Sequence, residues 1–271
     1  MVTAKLAGVI DPISISLYRF VIALVVLSVI FVKKENRDSF IPTFWRGLII
    51  SFFYSFYFIG MFKALETTTV LNTSTIYTLV PLITAILSIY FFKNKISIKQ
   101  FLVYFIAMIG TAIVIFKADI SLMLSFSLNS GDAIFLMASI SMAFYSIFLK
   151  TLQKKDDKLL VLVFNTLLGG CIWMFLSMQI FDISFEWYKI EGELFYYILY
   201  LSIASTIVTL FLYQKSAIVL GSKKLMAYVY LSPAIVAIMS YFWIDTEITS
   251  GILLGIVISV FATVVLLRQR D

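Results

Sequence analysis

Nine stretches of the chain, 12–32, 46–64, 70–91, 98–116, 131–149, 159–180, 194–214, 225–244 and 250–267, run nearly free of charge. An apolar run of about 18 to 22 residues, wound as a helix, matches the roughly 30 Å hydrocarbon layer of a membrane. Lipid gives backbone N–H and C=O groups no partner, so spans of this length must satisfy those groups internally, as helices do. Composition settles the choice between a membrane chain and a large soluble core: 62% of the 271 residues are hydrophobic and 13% charged, too few charges to cover a water-facing surface. The expected fold is therefore an all-α polytopic membrane protein. No soluble domain is expected, because the longest connection is 117–130. Cys171, the one cysteine, lies in a span and reads as a small buried hydrophobe. No cleavable signal peptide is expected, since the first long span starts at Pro12, carries Arg19 and lacks a small-residue cleavage site.

The basic residues alternate by loop. Segments 33–46, 93–99, 150–158, 215–224 and 268–271 hold 16 of the 21 Lys and Arg. The intervening connections and the amino-terminal stub hold Lys5, Lys117 and Lys189, together with Asp182, Glu186, Glu191, Glu193, Asp245 and Glu247. The positive-inside rule makes the first set cytoplasmic, with the carboxyl terminus. Nine spans then leave the amino terminus outside. The stub MVTAKLAG reads as the end of a helix that is largely missing, so that the expected architecture is ten helices in a 5+5 arrangement.

The chain also repeats itself. LVPLITAILS at 79–88 and LSPAIVAIMS at 231–240 are identical at six of ten positions, at an ungapped offset of 152. The match continues through Lys63/Lys215, Ile96/Ile248, Leu102/Leu254 and Thr111/Thr263. Four spans lie between the copies, so moving from one to its mate takes five crossings, an odd number, and the second copy runs the other way through the bilayer. Residues 1–117 and 131–267 are read as two such repeats. Inverted repeats of this kind are a recurring plan of secondary transporters, with the substrate near mid-membrane.

The segments AKLAGVIDPISISLYRF, KALETTTVLNTSTIYTLVPLITAILSIYFFKNKIS and KSAIVLGSKKLMAYVYLSPAIVAIMSYFWIDTEIT resemble the drug/metabolite transporter superfamily, and within it the EamA-like permeases. In that family a Lys tends to close the first helix, and a Pro and an Arg follow in the second. The resemblance covers the chain apart from the missing first helix. It implies a permease of the bacterial cytoplasmic membrane moving small organic solutes, amino acids and their derivatives above all, and often outward. A multidrug or cation exporter of the same fold and an inactive truncated permease are the alternatives. The family usually has Gly-Glu after the Pro-bearing helix, where this chain has Lys93-Asn94 and Asp245-Thr246.

Candidate substrate contacts follow from chemistry at depth. Arg19 lies about eight residues, roughly 12 Å, inside its span. A charge there faces protein or a water-filled cavity, and its planar fork suits a carboxylate or phosphate. The simpler alternative is that it clamps a neighbouring helix. Lys63 sits on the acidic side and either attracts anionic groups or pairs with Glu66 three positions on. Ser202, Ser205, Thr206, Thr209 and Tyr213 recur at helical spacing, as do Thr73, Tyr77, Pro81, Thr84 and Ser88. Such stripes either line a cavity or glue helices together. From them, and from the aromatic hydroxyls, Tyr54, Thr73, Tyr77, Ser205, Thr209 and Tyr228 join Arg19 and Lys63 as substrate candidates. Pro81 and Pro233 each free a carbonyl four residues upstream and are expected to bend their helices as gating elements. Gly251 and Gly255 form GxxxG with Ser259 continuing the row, read as helix packing, with a homodimer as the other use.

The partners expected are a small-molecule substrate and the lipid bilayer. The net charge of +6 needs no nucleic acid, because the loop distribution accounts for it. No catalytic residue, metal ligand or cofactor site is expected. With no His at all, a zinc protease or His-based hydrolase is disfavoured. A channel would call for a selectivity ring. Every Asp and Glu is placed in a loop or at a helix end, Asp132 and Glu66 at edges, so no buried carboxylate proton relay is expected among them.

Overall fold

The computed structural model describes residues 6, 8–93, 96–244 and 247–268. Lys5, Asn94, Lys95, Asp245, Thr246 and Arg270, used above for orientation and family comparison, lie outside the described residues. The elements are α1 (Pro12–Leu27), α2 (Lys34–Leu65), α3 (Val70–Tyr77), α4 (Val80–Phe92), α5 (Ile98–Ile115), α6 (Ile120–Leu124), α7 (Ser130–Leu152), α8 (Leu159–Ile180), α9 (Glu193–Ser202), α10 (Thr209–Leu220), α11 (Ser222–Ala227), α12 (Ser232–Ile244) and α13 (Ser250–Arg268). A 3₁₀ turn at Ser28–Val32 prolongs α1, a π-helical turn at Ile203–Val208 joins α9 to α10, and a 3₁₀ turn at Tyr228–Leu231 joins α11 to α12. Among the described residues, nine helical stretches are long and apolar enough to cross a membrane.

One boundary differs from the hydropathy reading. The connection expected at 33–46 is helical from Lys34 onward. Hydropathy marks only the part of a helix that lies in hydrocarbon, whereas the charged turns KENRD continue the same backbone hydrogen bonding beyond it. Pro42 sits inside this helix, and its carbonyl accepts from the Arg46 guanidinium at 3.0 Å.

The internal repeat recurs in the backbone. A shift of 152 residues carries Val70–Phe92 onto 222–244, the span of α11 and α12, and Ile98–Ile115 onto 250–267, nearly all of α13. Both Pro-bearing spans are interrupted at matching positions, at Thr78–Leu79 and at Tyr228–Leu231. Proline cannot donate to the turn before it and its ring clashes with the carbonyl four residues back, but it fits the first turn of a helix. Pro81 and Pro233 are accordingly each the second residue of their helices, α4 and α12. At the first break the N–H groups of Thr78 and Leu79 reach back three residues, to Thr75 and Ile76. At the second, the Tyr230 carbonyl accepts from the Thr111 hydroxyl of α5.

The chain forms two compact units, one of Met1–Phe62 with Phe148–Val219 and one of Lys63–Ile147 with Leu220–Asp271. Each draws helices from both sequence repeats. In the first unit α1 packs on α8, its repeat mate. Gly170 admits the Phe20 ring there, 2.9 Å from where a Cβ would sit, and Gly169 admits Ser51. In the second unit α5 packs on its mate α13, with Gly110 against Ile258 and Ser259, and Gly255 against the Gly110 carbonyl. The small-residue row thus packs a helix of the same chain, through van der Waals approach of backbones.

Candidate functional site

In the first unit, the side chain singled out for its charge meets the turn singled out for its hydroxyls. Arg19 Nη2 donates to Thr206 Oγ1 at 2.9 Å, and Thr206 donates in turn to the Leu201 carbonyl five residues back. That long reach is possible because Ile203–Val208 is a π-helical turn, whose extra residue rotates the following side chains. Ser202 and Thr206 are buried as a result, whereas Ser205 and Thr209 are exposed, and Thr209 donates to the Ser205 carbonyl of its own helix. The polar stripe of the sequence therefore does not form one continuous face.

Tyr54 lies within electrostatic reach of Arg19 and stacks on Phe20, with ring centroids 6.0 Å apart. Among the described residues no carboxylate pairs with Arg19, and its buried Nε has no hydrogen-bond partner. A half-buried guanidinium without a counter-charge is an arrangement suited to an anionic group. The same unit also buries Asn165 and Thr166 of α8 and Gln214 of α10, which spacing alone did not single out, and Ser55 of α2, which recurs at helical spacing with Ser51, Tyr54 and Phe58. Asn165 donates to Thr43 and Gln214 donates to Thr166, while Asn165 Oδ1, Gln214 Oε1 and Ser55 Oγ lack partners.

The second unit contains a cleft of about 460 Å³ between the two broken spans, a volume within the range of small-molecule pockets. One wall is α3, with Leu71, Ser74 and Tyr77, and the other is α12, with Pro233, Val236 and Ser240. At the far ends of the same two spans α4 packs directly on α11. Ala85, Ala227 and Tyr230 are fully buried there, with Leu82 packed against them. The pair is therefore closed at one end and parted at the other.

The remaining candidates divide. Pro81 is buried and Pro233 lines the cleft. Lys63 donates to Glu66 at 2.8 Å, the pairing that needs no ligand. Thr73 is buried, and its hydroxyl bonds to carbonyls of its own helix at Thr69 and Val70. Tyr228 is 44% exposed on the 3₁₀ turn.

Asp132 stands in the first turn of α7, at the helix edge where the sequence puts it, and is 2% exposed. Its carboxylate accepts from Asn72 Nδ2 at 2.9 Å, from the Asn129 N–H at 2.7 Å and from the Thr68 hydroxyl. Neutral donors and the first turn of α7 replace water, which is how a carboxylate at a helix start can be buried.

The sequence profile described as "EamA-like transporter family" matches residues 1–116 and 129–268. A curated protein of Bacillus subtilis (strain 168), named "Uncharacterized transporter YyaM", is 27% identical over 178 residues, 63% of this chain and 57% of its own length. The chain thus spans a little over half of that relative. A solved crystal structure is similar with a TM-score of 0.75 at 13% identity, over 97% of this chain and 89% of that one.

Proposed function

The chain belongs to the EamA-like transporter family, and from that premise we propose that it carries small organic metabolites, foremost amino acids or their derivatives, out of the cell by alternating access. The observation that carries this reading is the asymmetry of the two Pro-bearing spans, packed at the α4–α11 end and parted at the α3–α12 end. A channel needs a continuous path, whereas a carrier needs two mouths that are never open together. The equivalent breaks let each span swing about its Pro without disturbing the helix on either side.

Orientation follows from charge. The packed end bears Lys93, Lys223 and Lys224, and the parted end a single Lys, Lys117, together with Glu247. By the positive-inside rule the cleft opens outward and the carboxyl terminus is cytoplasmic. Arg19 favours solutes with a carboxylate or phosphate over purely cationic drugs. The side chains are chemically suited to binding and passage rather than to bond making, so the reading is of a carrier and not an enzyme.

The test is uptake and efflux in proteoliposomes with amino acids, nucleosides and cationic drugs. Protein-dependent counterflow of at least one anionic or zwitterionic solute is expected, falling about tenfold or more in Arg19→Ala, the loss of one buried charge-assisted contact. Flux of cationic drugs alone, unchanged in Arg19→Ala, would contradict the proposal.

A further inference from the structure

The rim of the cleft in the second unit carries one charge of each sign. Lys117 and Glu247 both line it. Among the described residues neither side chain has an ion-pair or hydrogen-bond partner. Asp119, the acid next along the chain, makes no ion pair with Lys117 and is engaged through one oxygen instead. Asp119 Oδ1 accepts from the Ser121 hydroxyl at 2.6 Å and from the N–H groups of Ser121 and Leu122, capping α6. Those donors, the Ser121 hydroxyl first, hold its carboxyl below the ordinary range.

The placement of Lys117 is built by the backbone. Lys117 and Ala118 both adopt left-handed conformations, with φ of 54° and 57°, a geometry disfavoured for any residue with a Cβ. The turn closes with the Ala118 N–H on the Ile113 carbonyl at 2.8 Å. It is then seated on the start of α13, where Ala118 Cβ lies 2.4 Å from where a Cβ at Gly251 would be. Only glycine at 251 lets the turn sit there, and this brings Lys117 to the same end of the cleft as the Glu247–Ile248 segment.

Most of the lining is aliphatic, with Ser74, Tyr77, Ser232 and Ser240 set among it. Val70 is 71% exposed and Val236 61%, and at the end of α12 Trp243 is 66% exposed. An exposed Trp beside charged residues marks headgroup depth, and the aliphatic walls below it lie at acyl-chain depth.

We propose that this cleft binds a single-chain zwitterionic amphiphile, with its anionic group at Lys117, its ammonium at Glu247 and its chain between Leu71 and Val236 towards Pro233. The assignment rests on reading the cleft as the open end of the carrier. It adds the class of molecule that occupies that end.

The full chain in neutral maltoside micelles, titrated by native mass spectrometry, provides the test. The probes are lysophosphatidylethanolamine, lysophosphatidylglycerol, dodecylammonium and free leucine. Lysophosphatidylethanolamine is expected to bind about tenfold more tightly than either singly charged amphiphile, since each of those leaves one rim charge unpaired. Lys117→Glu and Glu247→Lys are each expected to weaken it about tenfold, and the double reversal to restore it to within about threefold. Equal binding of all three amphiphiles, no recovery in the double reversal, or leucine competing at equal concentration would each overturn the assignment. Counterflow of solutes in the same preparation reports the carrier reading separately. Flux without head-selective binding sinks the assignment alone, and head-selective binding without flux of any solute sinks the carrier reading alone.

Discussion

Arg19 shows how much a single residue can reveal and where its legibility ends. Its depth in an apolar run was visible from sequence, but the hydroxyl it meets was not. Counting by three and four put Thr206 in the stripe with Ser205 and Thr209, but only the latter two stood as substrate contacts, and it is Thr206, in the π-helical turn, that meets the guanidinium. Thr206→Val is expected to remove that bond and leave the span intact, weakening binding of an anionic solute by about fivefold to tenfold in counterflow measurements. A second test at this scale concerns Arg46 and Asp157, a forked pair at 2.8 and 2.7 Å with little exposure on either side chain. Asp157→Asn leaves the guanidinium with half its partner, and a loss of about 2 to 4 kcal/mol in folding stability is expected, read as a lowered melting temperature in detergent. Asp132 sits at the helix edge visible in the sequence, but position along a helix says nothing about what folds over it. Here the turn before α3 supplies Thr68, and α3 itself supplies Asn72.

At the scale of elements, the hydrocarbon layer makes sequence unusually informative. Among the described residues the nine apolar runs correspond to nine helical stretches long and apolar enough to cross a membrane, and the differences fell where hydropathy has no signal, in the charged extension of α2 and in the short α6 of the 117–130 connection. The prolines located the breaks but not their form. The two spans are interrupted by tight turns, with the helix restarting at or beside the Pro. Close approach of α5 and α13 depends on Gly110 and Gly255, where added side chains would meet a backbone atom at 2.8 Å in each case. Gly255→Leu is therefore expected to part these helices and to lower the yield of folded protein sharply on size exclusion, whereas Gly192→Ala, in open surroundings, should cost about 1 kcal/mol or less of that stability beyond its left-handed strain.

For the whole molecule, the repeat visible at 79–88 and 231–240 predicted two copies of one structure, and the helix limits recur at the same offset. What the sequence did not reveal is that the compact units interleave the copies, because packing partners are set by crossing geometry and not by order along the chain. On the carrier reading, solute moves because the two Pro-bearing spans part and close in turn. Leu71→Cys and Ser240→Cys, on opposite walls of the cleft, placed in a Cys171→Ser background and joined by a reducible bis-thiol linker, test this directly in proteoliposomes. Counterflow is expected to fall to the level of protein-free vesicles when the pair is linked and to return when the linker is cleaved. Undiminished counterflow with the linkage complete would contradict it.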